Sequence, residues 1–348
     1  MTSVPARRGR LPAAKPLSGI REVAQLAGVS LGTVSNVVNH PERVSVQTRQ
    51  QVAAAIERLG FVPNRSATDL RRGQSRMIGL VLPDITNPFF AELAHGAIDC
   101  ATEHGYGAVM CNSDSDSAKE SANLEMIEEL QAAGVLLTPV GALPTGLDRL
   151  VVRNIRGVLV DRTIDASQGC SVSVDNVAGG EIAISHLIDR GAHQLMLVNG
   201  PASFRQCADR RKGARRALRK AGLDASSLTE IVAPAMTVPD GVDAGNRMLA
   251  TGRLPDAVFC TNDLLAIGVQ RAFRQAGVAV PKDVAVVGYD DIDRAGDVPI
   301  PLTSIRQPMY QLGHKAAELL LAEITAVAGH QHQRVLFDPV LVPRASTA

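Results

Sequence analysis

The sequence lacks any long apolar segment. It contains no run of about eighteen consecutive apolar residues, the length a helix needs to cross the hydrocarbon core of a bilayer. Residues 1–19 hold four basic residues and several prolines where a secretory signal peptide has an apolar core. We therefore expect a cytoplasmic protein with no membrane association.

Cysteine is scarce and scattered. The five cysteines are odd in number and show no Cys-x-x-Cys spacing, which argues against both a disulfide framework and a zinc site. His330 and His332 flank Gln331 near the C-terminus, but two ligands on a polar loop make a poor metal site. The sequence therefore predicts no bound metal and no cofactor.

The sequence also lacks the residue sets that catalysis requires. It shows no glycine-rich phosphate loop, no nucleophile beside a base and no paired catalytic carboxylates. Aromatic residues make up only 3% of the chain and tryptophan is absent, so few ring faces are available for stacking a planar ligand. These absences argue against an enzyme and, among small ligands, favour a polyol or sugar over a nucleobase.

Charge is unevenly distributed along a chain whose net charge is only +1. Residues 1–76 carry 12 lysines and arginines against 4 acidic residues, whereas residues 77–348 carry 24 against 31. A chain of 348 residues also exceeds the size at which one core keeps growing, so two or more domains are expected. A basic head on an acidic body is typical of a polyanion-binding module fused to a second domain.

Three short helices are predicted in the basic region, after a disordered tail over residues 1–18. Apolar residues recur at helical spacing from Ile20 to Ala27 and again at Val34, Val37 and Val38, with a turn at Gly28-Val29-Ser30 between them. A third helix is predicted over Val46–Leu59, where a serine precedes the helix and a glycine follows it. Two helices joined by a tight turn and followed by a third are typical of a helix-turn-helix DNA-binding domain.

The segment IREVAQLAGVSLGTVSNVVN, residues 20–39, resembles the helix-turn-helix of the lactose/galactose repressor family of bacterial transcription factors. The resemblance continues through Gly60–Arg65 and then along the chain to about residue 343. It implies a DNA-binding domain over residues 19–63, a hinge helix and linker over 64–75, and a two-lobed effector-binding and dimerisation domain over 76–343.

The second helix is the predicted recognition helix. Its valines face the core and turn a polar stripe outward, from which small and amide side chains can approach base edges or phosphates. The resemblance implies that the positions of Leu31, Gly32 and Asn36 set operator choice. The predicted DNA-contacting residues of this helix and its cap are Ser30, Leu31, Gly32, Thr33, Ser35, Asn36 and Asn39.

Residues 64–73 are too few to form a stable helix alone. They resemble the hinge helix of the family, which implies that Asn64 and Arg65 contact DNA and that Leu70 enters a minor-groove base step. An apolar wedge of this kind bends DNA, with nearby arginines at the phosphates. The alternative is that Leu70 is a buried linker residue.

Beyond residue 76, short apolar runs alternate with helical segments, which predicts βαβ units and parallel sheets. The predicted strands include Met77–Leu82, Gly107–Cys111, Val135–Leu137, Gly157–Val160, Gln194–Val198, Ala257–Cys260 and Val284–Gly288. About ten strands are too many for one small sheet, and Ser171–Asn176 is interpreted as a polar break near the middle. The predicted fold is a small all-α head and an α/β body of two doubly wound parallel-sheet lobes, similar to periplasmic binding proteins, with a ligand cleft between the lobes.

Candidate ligand-binding residues lie where the strands of the body end. Sugar sites combine an aromatic face with amide and charged groups, and Asn87, Phe89 and Phe90 after the first strand offer this mixture, although one phenylalanine could belong to the core. The resemblance adds Arg210 and Gln307. The full predicted set is Asn87, Phe89, Phe90, Asp161, Arg162, Arg210, Asn262, Asp290 and Gln307. The alternative is that several of them pair across the lobes or cap helices.

A ligand-controlled transcription repressor accounts for every segment of the chain. A sugar-binding transport protein would need an export signal and no basic helix-turn-helix. The resemblance implies a homodimer that binds a pseudo-palindromic operator in double-stranded DNA and controls carbohydrate genes in response to a small sugar. A regulator of the same type that senses a non-sugar metabolite, such as a nucleobase, is the alternative.

Overall fold

The computed structural model describes residues 19–61, 75–143, 146–326 and 329–348. The chain divides into two compact units, Met1–Gln74 and Ser75–Ala348, which we call the head and the body. The predicted DNA contacts Asn64, Arg65 and Leu70 lie outside the described residues. Among the helices that the described residues form, none combines the length and apolarity needed to cross a bilayer.

The head contains three helices, α1 (Ile20–Ala27), α2 (Leu31–Asn39) and α3 (Val46–Leu59), as the sequence predicts. A short 3-10 turn, Pro41–Arg43, lies between α2 and α3. Serines cap α2 and α3, while glycines in the left-handed conformation end α1 and α3. The core is small and aliphatic and is built around Val23, Ala24, Val34, Val52 and Ala55.

The first lobe of the body is a six-stranded sheet. Its strands are β1 (Met77–Leu82), β2 (Gly107–Asn112), β3 (Gly134–Leu137), β4 (Arg156–Val160), β5 (Cys170–Val174) and β11 (Arg334–Phe337). They lie in the order β11-β5-β4-β3-β1-β2, and every described pairing is parallel. Its helices are α4 (Pro88–Glu103), α5 (Ser117–Glu129), α6 (Gly146–Val152) and α12 (Met309–Thr325). Helices α4 and α12 pack backbone to backbone: a Cβ on Gly313 would lie 1.8 Å from the carbonyl oxygen of Leu93.

The second lobe is also a six-stranded sheet. Its strands are β6 (Leu195–Asn199), β7 (Leu228–Val232), β8 (Ala257–Cys260), β9 (Ala285–Asp290), β10 (Thr303–Arg306) and β12 (Val340–Val342). They lie in the order β12-β10-β9-β8-β6-β7. Only β12 runs antiparallel to its neighbour. The helices of this part of the chain are α7 (Asn176–Asp189), α8 (Arg205–Lys220), α9 (Val238–Ala250), α10 (Asp263–Gln275) and the short α11 (Arg294–Asp297).

The chain passes between the lobes three times, after β5, after β10 and between β11 and β12. Each sheet therefore receives its last strand from the C-terminal segment, after the chain has built the other strands. This exchange makes the lobes interdependent and places a cleft where they meet.

One predicted boundary is wrong. Ser171–Asn176 does not form a polar break, because Cys170–Val174 is a buried strand paired with both β4 and β11. The serines of this strand are accommodated by local hydrogen bonds: Ser171 Oγ accepts from Ile164 N at 3.3 Å, and Ser173 Oγ donates to Val174 O at 3.2 Å. The actual crossover follows the strand.

Candidate DNA-binding surface and ligand cleft

Helix α2, the predicted recognition helix, presents its N-terminal end to solvent. Leu31 is 46% exposed, although it is a large apolar residue, and Gly32 and Asn36 are exposed beside it. Val34 is fully buried on the opposite side of the helix. These are the three positions to which the resemblance assigns operator choice, and they lie on the side of α2 that is open to a partner.

The hydroxyl and amide groups of α2 are partly engaged within the helix. Ser30 Oγ accepts from Thr33 N at 3.1 Å and lies 2.9 Å from Thr33 Oγ1. Asn39 is half-buried and donates to the backbone oxygen of Ser35 at 2.9 Å and to Ser35 Oγ at 3.3 Å. Phosphate contacts by Ser30, Thr33 and Asn39 stay a prediction, as does the DNA contact of Ser35. A phosphate contact by the Asn39 amide would have to replace its bonds to Ser35.

A cavity of about 230 Å³ lies between the two lobes of the body. Seven of the nine predicted ligand-binding residues line it: Asn87, Phe89, Phe90, Asp161, Arg210, Asn262 and Asp290. They come together because parallel strands of each lobe end at the same edge of their sheet, and both edges face the cleft.

The first lobe contributes the aromatic part of the cavity. Phe89 and Phe90 lie in the first turn of α4, and their rings meet edge to face with centroids 4.9 Å apart. Both also pack into the core of this lobe. Asn87 caps the same helix, with its Oδ1 accepting from Phe89 N at 3.0 Å. The cap leaves the Asn87 amide nitrogen available on a rigid helix end. Both phenylalanines are therefore core residues and lining residues at once.

The second lobe contributes a buried arginine. Arg210 on α8 is 2% exposed, and its guanidinium stacks 3.7 Å above the ring of Tyr289. Its Nε donates to Asn176 Oδ1 at 2.8 Å, and its Nη1 donates to the carbonyl oxygen of Thr261. Its Nη2 lies 3.9 Å from Asp290 Oδ1. These contacts fix the plane of the guanidinium while it still lines the cavity, where it can donate to a ligand oxygen.

Two buried carboxyl groups accompany the arginine. Burial raises the pKa of Asp161 to about 6 and that of Asp290 to about 7, although the charge of Arg210 acts in the opposite direction on both. Asp161 Oδ1 is buried and accepts no hydrogen bond from the described residues. Both residues also have positive φ angles, 54° and 110°. Unpartnered acceptors and strained backbone are typical of a site that a ligand completes.

Two predicted residues do not line the cavity. Arg162 follows Asp161 along the chain and points elsewhere, donating to the carbonyl oxygen of Gly141 at 2.9 Å. The side-chain amide of Gln307 donates to Asp290 Oδ1 at 2.7 Å, so Gln307 contacts a lining residue and does not line the cavity itself. Asn262 lines the cavity, but its side chain caps α10 and donates to Met236 O at 2.9 Å, which fits the helix-capping alternative.

Sequence reasoning missed part of the lining from the second lobe. Phe204 is buried at the start of α8 and lines the cavity, as do Ser203, Gln206 and Met236. Residues 203–206 follow the end of β6 and lead into α8. Their position after a strand end was the available signal, because ligands of open α/β sheets bind at the carboxyl ends of the strands.

The ionisation of Asp290 yields a stability prediction. The folded protein keeps the Asp290 proton up to about pH 7, whereas the unfolded chain releases it near pH 4, so stability falls as pH rises between these values. An asparagine side chain does not ionise, so the Asp290→Asn variant lacks this dependence of stability on pH. The melting temperature of Asp290→Asn relative to the unmodified protein should therefore rise by roughly a few degrees between pH 5 and pH 8. Asp293→Asn, which changes an exposed carboxyl, is the control, and an equal pH response of both variants would contradict the prediction.

A helix-turn-helix head joined to a two-lobed body with a polar cleft defines a class of protein, the DNA-binding regulators that carry a periplasmic-binding-protein-like domain. Residues 19–64 match the family of bacterial regulatory proteins of the lacI type, and residues 184–347 match a periplasmic binding protein-like domain. Together with the relatives below, these matches show that the chain belongs to the LacI family.

The chain is similar over nearly its whole length to curated members of this family. It is 33% identical over 331 residues to the ribose operon repressor of Escherichia coli (strain K12), covering 95% of this chain and 100% of the relative. It is 33% identical over 333 residues to the HTH-type transcriptional repressor PurR of Photobacterium profundum, covering 95% of this chain and 98% of the relative.

Solved structures show the same fold. The Lac repressor dimer bound to operator and the anti-inducer ONPF matches with a TM-score of 0.82 and 25% identity, covering 95% of this chain and 99% of that one. A LacI family transcriptional regulator from Enterococcus faecium with bound ribose matches with a TM-score of 0.72 and 26% identity, covering 78% and 98%.

Proposed function

We propose that this protein is a transcription repressor of carbohydrate genes that binds a pseudo-palindromic operator as a homodimer and is controlled by a small sugar. The observation that carries the sugar assignment is the composition of the cleft. One lobe supplies the rings of Phe89 and Phe90, and buried Asp161, Arg210 and Asp290 supply carboxyl oxygens and a charged donor. This combination fits the apolar C–H face and the hydroxyl groups of a pyranose or furanose.

The relatives support this proposal. One is named a ribose operon repressor, and one solved structure of the same fold holds ribose. The Lac repressor structure is a dimer on operator DNA, which supports a dimeric, DNA-bound state for this chain. We place the protein in the cytoplasm, where it meets DNA, and assign it a binding rather than a catalytic role.

A nucleobase effector is the second candidate. It is favoured by the similarity to a repressor named PurR and by Phe204, which gives the second lobe an aromatic residue in the cleft as well. A planar base between rings from both lobes would be stacked on two faces. The amide and carboxyl groups of the cleft can bond to either kind of ligand, so only binding data separate the two candidates.

A thermal-shift screen on the full chain tests the proposal. A ligand that binds the native state raises the melting temperature by an amount that grows with its concentration above Kd. D-ribose, other pentoses, hexoses and disaccharides form one arm, and free nucleobases form the other. Stabilisation by a sugar supports the proposal, stabilisation by a nucleobase alone supports the second candidate, and no stabilisation by either class contradicts both.

We also propose that Leu70 acts as an apolar wedge in the operator. Leu70→Ala should leave the melting temperature and ligand affinity nearly unchanged, because a side chain that acts only on DNA contributes little to the fold. Specific operator affinity should fall, since unstacking a base step costs a few kcal/mol that the wedge helps to offset. Fluorescence anisotropy with operator and random duplexes measures the ratio of specific to non-specific DNA affinity. If this ratio is preserved while the melting temperature falls steeply, Leu70 is a core residue instead.

A further inference from the structure

Four side chains with metal-binding atoms meet at one end of the first lobe. Cys170 Sγ, one carboxylate oxygen of Glu323 and one ring nitrogen each of His330 and His332 all lie within 4.8 Å of one another. Cys170 begins β5, Glu323 lies in the last turn of α12, and the two histidines precede β11. The cluster lies at the amino ends of these parallel strands, so it is separate from the cleft at their carboxyl ends.

The pairing of two strands brings the cluster together. Strands β5 and β11 are parallel with Arg334 opposite Ser171, which places the residue before β11 beside Cys170. The backbone N–H of Gln333 donates to Cys170 Sγ at 3.4 Å, and the backbone carbonyl oxygen of Gln333 accepts from Ser171 N at 2.9 Å. The backbone of the histidine segment is therefore fixed against the cysteine by the sheet itself.

The distances between the donor atoms fit a tetrahedral ion. His330 Nε2 lies 3.1 Å and His332 Nδ1 lies 3.7 Å from Cys170 Sγ, and His332 Nδ1 lies 3.9 Å from Glu323 Oε2. Around Zn²⁺, bonds of about 2.0 to 2.3 Å at tetrahedral angles separate neighbouring ligand atoms by about 3.3 to 3.7 Å. These three separations bracket the tetrahedral values, and the other three are no longer than 4.8 Å.

Glu323 supplies an independent reason for a cation. Its side chain is only 10% exposed, and its Oε2 is a buried acceptor that receives no hydrogen bond from the described residues. It also lies at the C-terminal end of α12, where the partial negative charge of the helix disfavours an anion. A buried carboxylate at such a position needs a compensating positive charge, and the neighbouring donor atoms are metal ligands.

We propose that Cys170, Glu323, His330 and His332 bind a divalent transition-metal ion, with Zn²⁺ as the ion that suits the ligand set. One thiolate, one carboxylate and two neutral imidazoles balance the two charges of the ion, and the thiol releases its proton on binding. Four protein ligands close the coordination sphere, which is the arrangement of a structural site. The ion would tie the end of α12 and the start of β11 to β5, across about 150 residues of sequence.

Metal content and spectroscopy test the proposal on the full chain. After removal of metal with a chelator and dialysis against ZnCl₂, we expect one zinc ion per chain by elemental analysis. Replacement by Co²⁺ should give visible bands of tetrahedral cobalt and a near-ultraviolet band of thiolate-to-cobalt charge transfer. Absence of bound zinc, or a cobalt spectrum without the thiolate band, would overturn the proposal, and neither measurement needs a variant that might misfold.

Variants then assign the ligands. Glu323→Gln, His330→Gln and His332→Gln should each lower zinc affinity by about a hundredfold or more, measured by competition with a chromophoric chelator, because loss of even an outer partner costs up to that factor. Cys170→Ser should remove the thiolate band, whereas Cys111→Ser should keep it. His193→Gln changes an exposed histidine elsewhere and should bind zinc as the unmodified protein does. Undiminished zinc binding in the folded cluster variants would show that the ion sits elsewhere.

Discussion

Affinity for operator DNA should fall about a thousandfold when salt is raised from 50 to 200 mM. Each phosphate contact releases condensed counterions, and about six contacts across a dimer produce a loss of this size. Residues 1–76 carry 12 of the 36 lysines and arginines of the chain but only 4 of its 35 acidic residues. In the described part of the head, Arg21, Arg43 and Arg58 are exposed, with the Arg43 side chain 69% open to solvent.

The measurement is an anisotropy titration at several salt concentrations, with an operator selected from a random duplex library by the protein itself. A random duplex should show a comparable salt slope at lower affinity, because phosphate contacts do not depend on sequence. Arg253→Gln removes an exposed arginine of the body and should leave the slope unchanged. A flat salt response with the selected operator would contradict the assignment of the head to DNA.

Replacement of Arg210 should produce the largest loss of effector affinity. Arg210→Ala should weaken binding of the effector by roughly 10-fold to 150-fold, corresponding to about 1.5–3 kcal/mol for a hydrogen bond from a charged donor. The structure supports this because Arg210 is buried at the cavity, with its plane fixed by Asn176, Thr261 and the ring of Tyr289. Isothermal titration calorimetry with the sugar found in the thermal-shift screen measures the change.

Two further variants keep this prediction testable. Arg210→Ala leaves Asp290 buried without its nearest cation and can destabilise the body. Asp161→Asn is milder, since it keeps the shape of a residue whose Oδ1 is buried and unpartnered among the described residues, and it should also weaken binding. Arg215→Ala, on the exposed side of the same helix, is the matched control. Unchanged effector affinity in folded Arg210→Ala and Asp161→Asn would remove both residues from the site.

Local signals made the head predictable from sequence. Ser30 and Ser45 cap helices and Gly28 and Gly60 end them, and each of these roles depends on backbone geometry within four residues. The strand β5 was not predicted because alternating Ser171 and Ser173 resemble a polar loop. Their hydroxyls are satisfied by neighbouring backbone atoms, which composition does not reveal.

The cleft was predictable in outline but not in detail. Strand ends identified Asp161 and Arg162 together, but consecutive residues point in different directions, and only Asp161 reaches the cavity. Gln307 was named from the resemblance, yet it bonds to Asp290 rather than lining the cavity. The proposed metal site could not be predicted from the sequence. Cys170 and Glu323 are far from His330 and His332 along the chain or lie on another element, and only strand pairing and helix packing bring the four side chains together.

The most direct test of the central claim is whether the sugar that stabilises the body also changes operator binding by the head. Anisotropy titrations of the selected operator should be run with and without the sugar that raises the melting temperature, for the unmodified protein and for Arg210→Ala. We expect the sugar to change operator Kd at least about fivefold, in either direction, and Arg210→Ala to lose that change while still binding operator. A sugar that stabilises the body but leaves operator Kd unchanged would contradict the account of a ligand-controlled repressor.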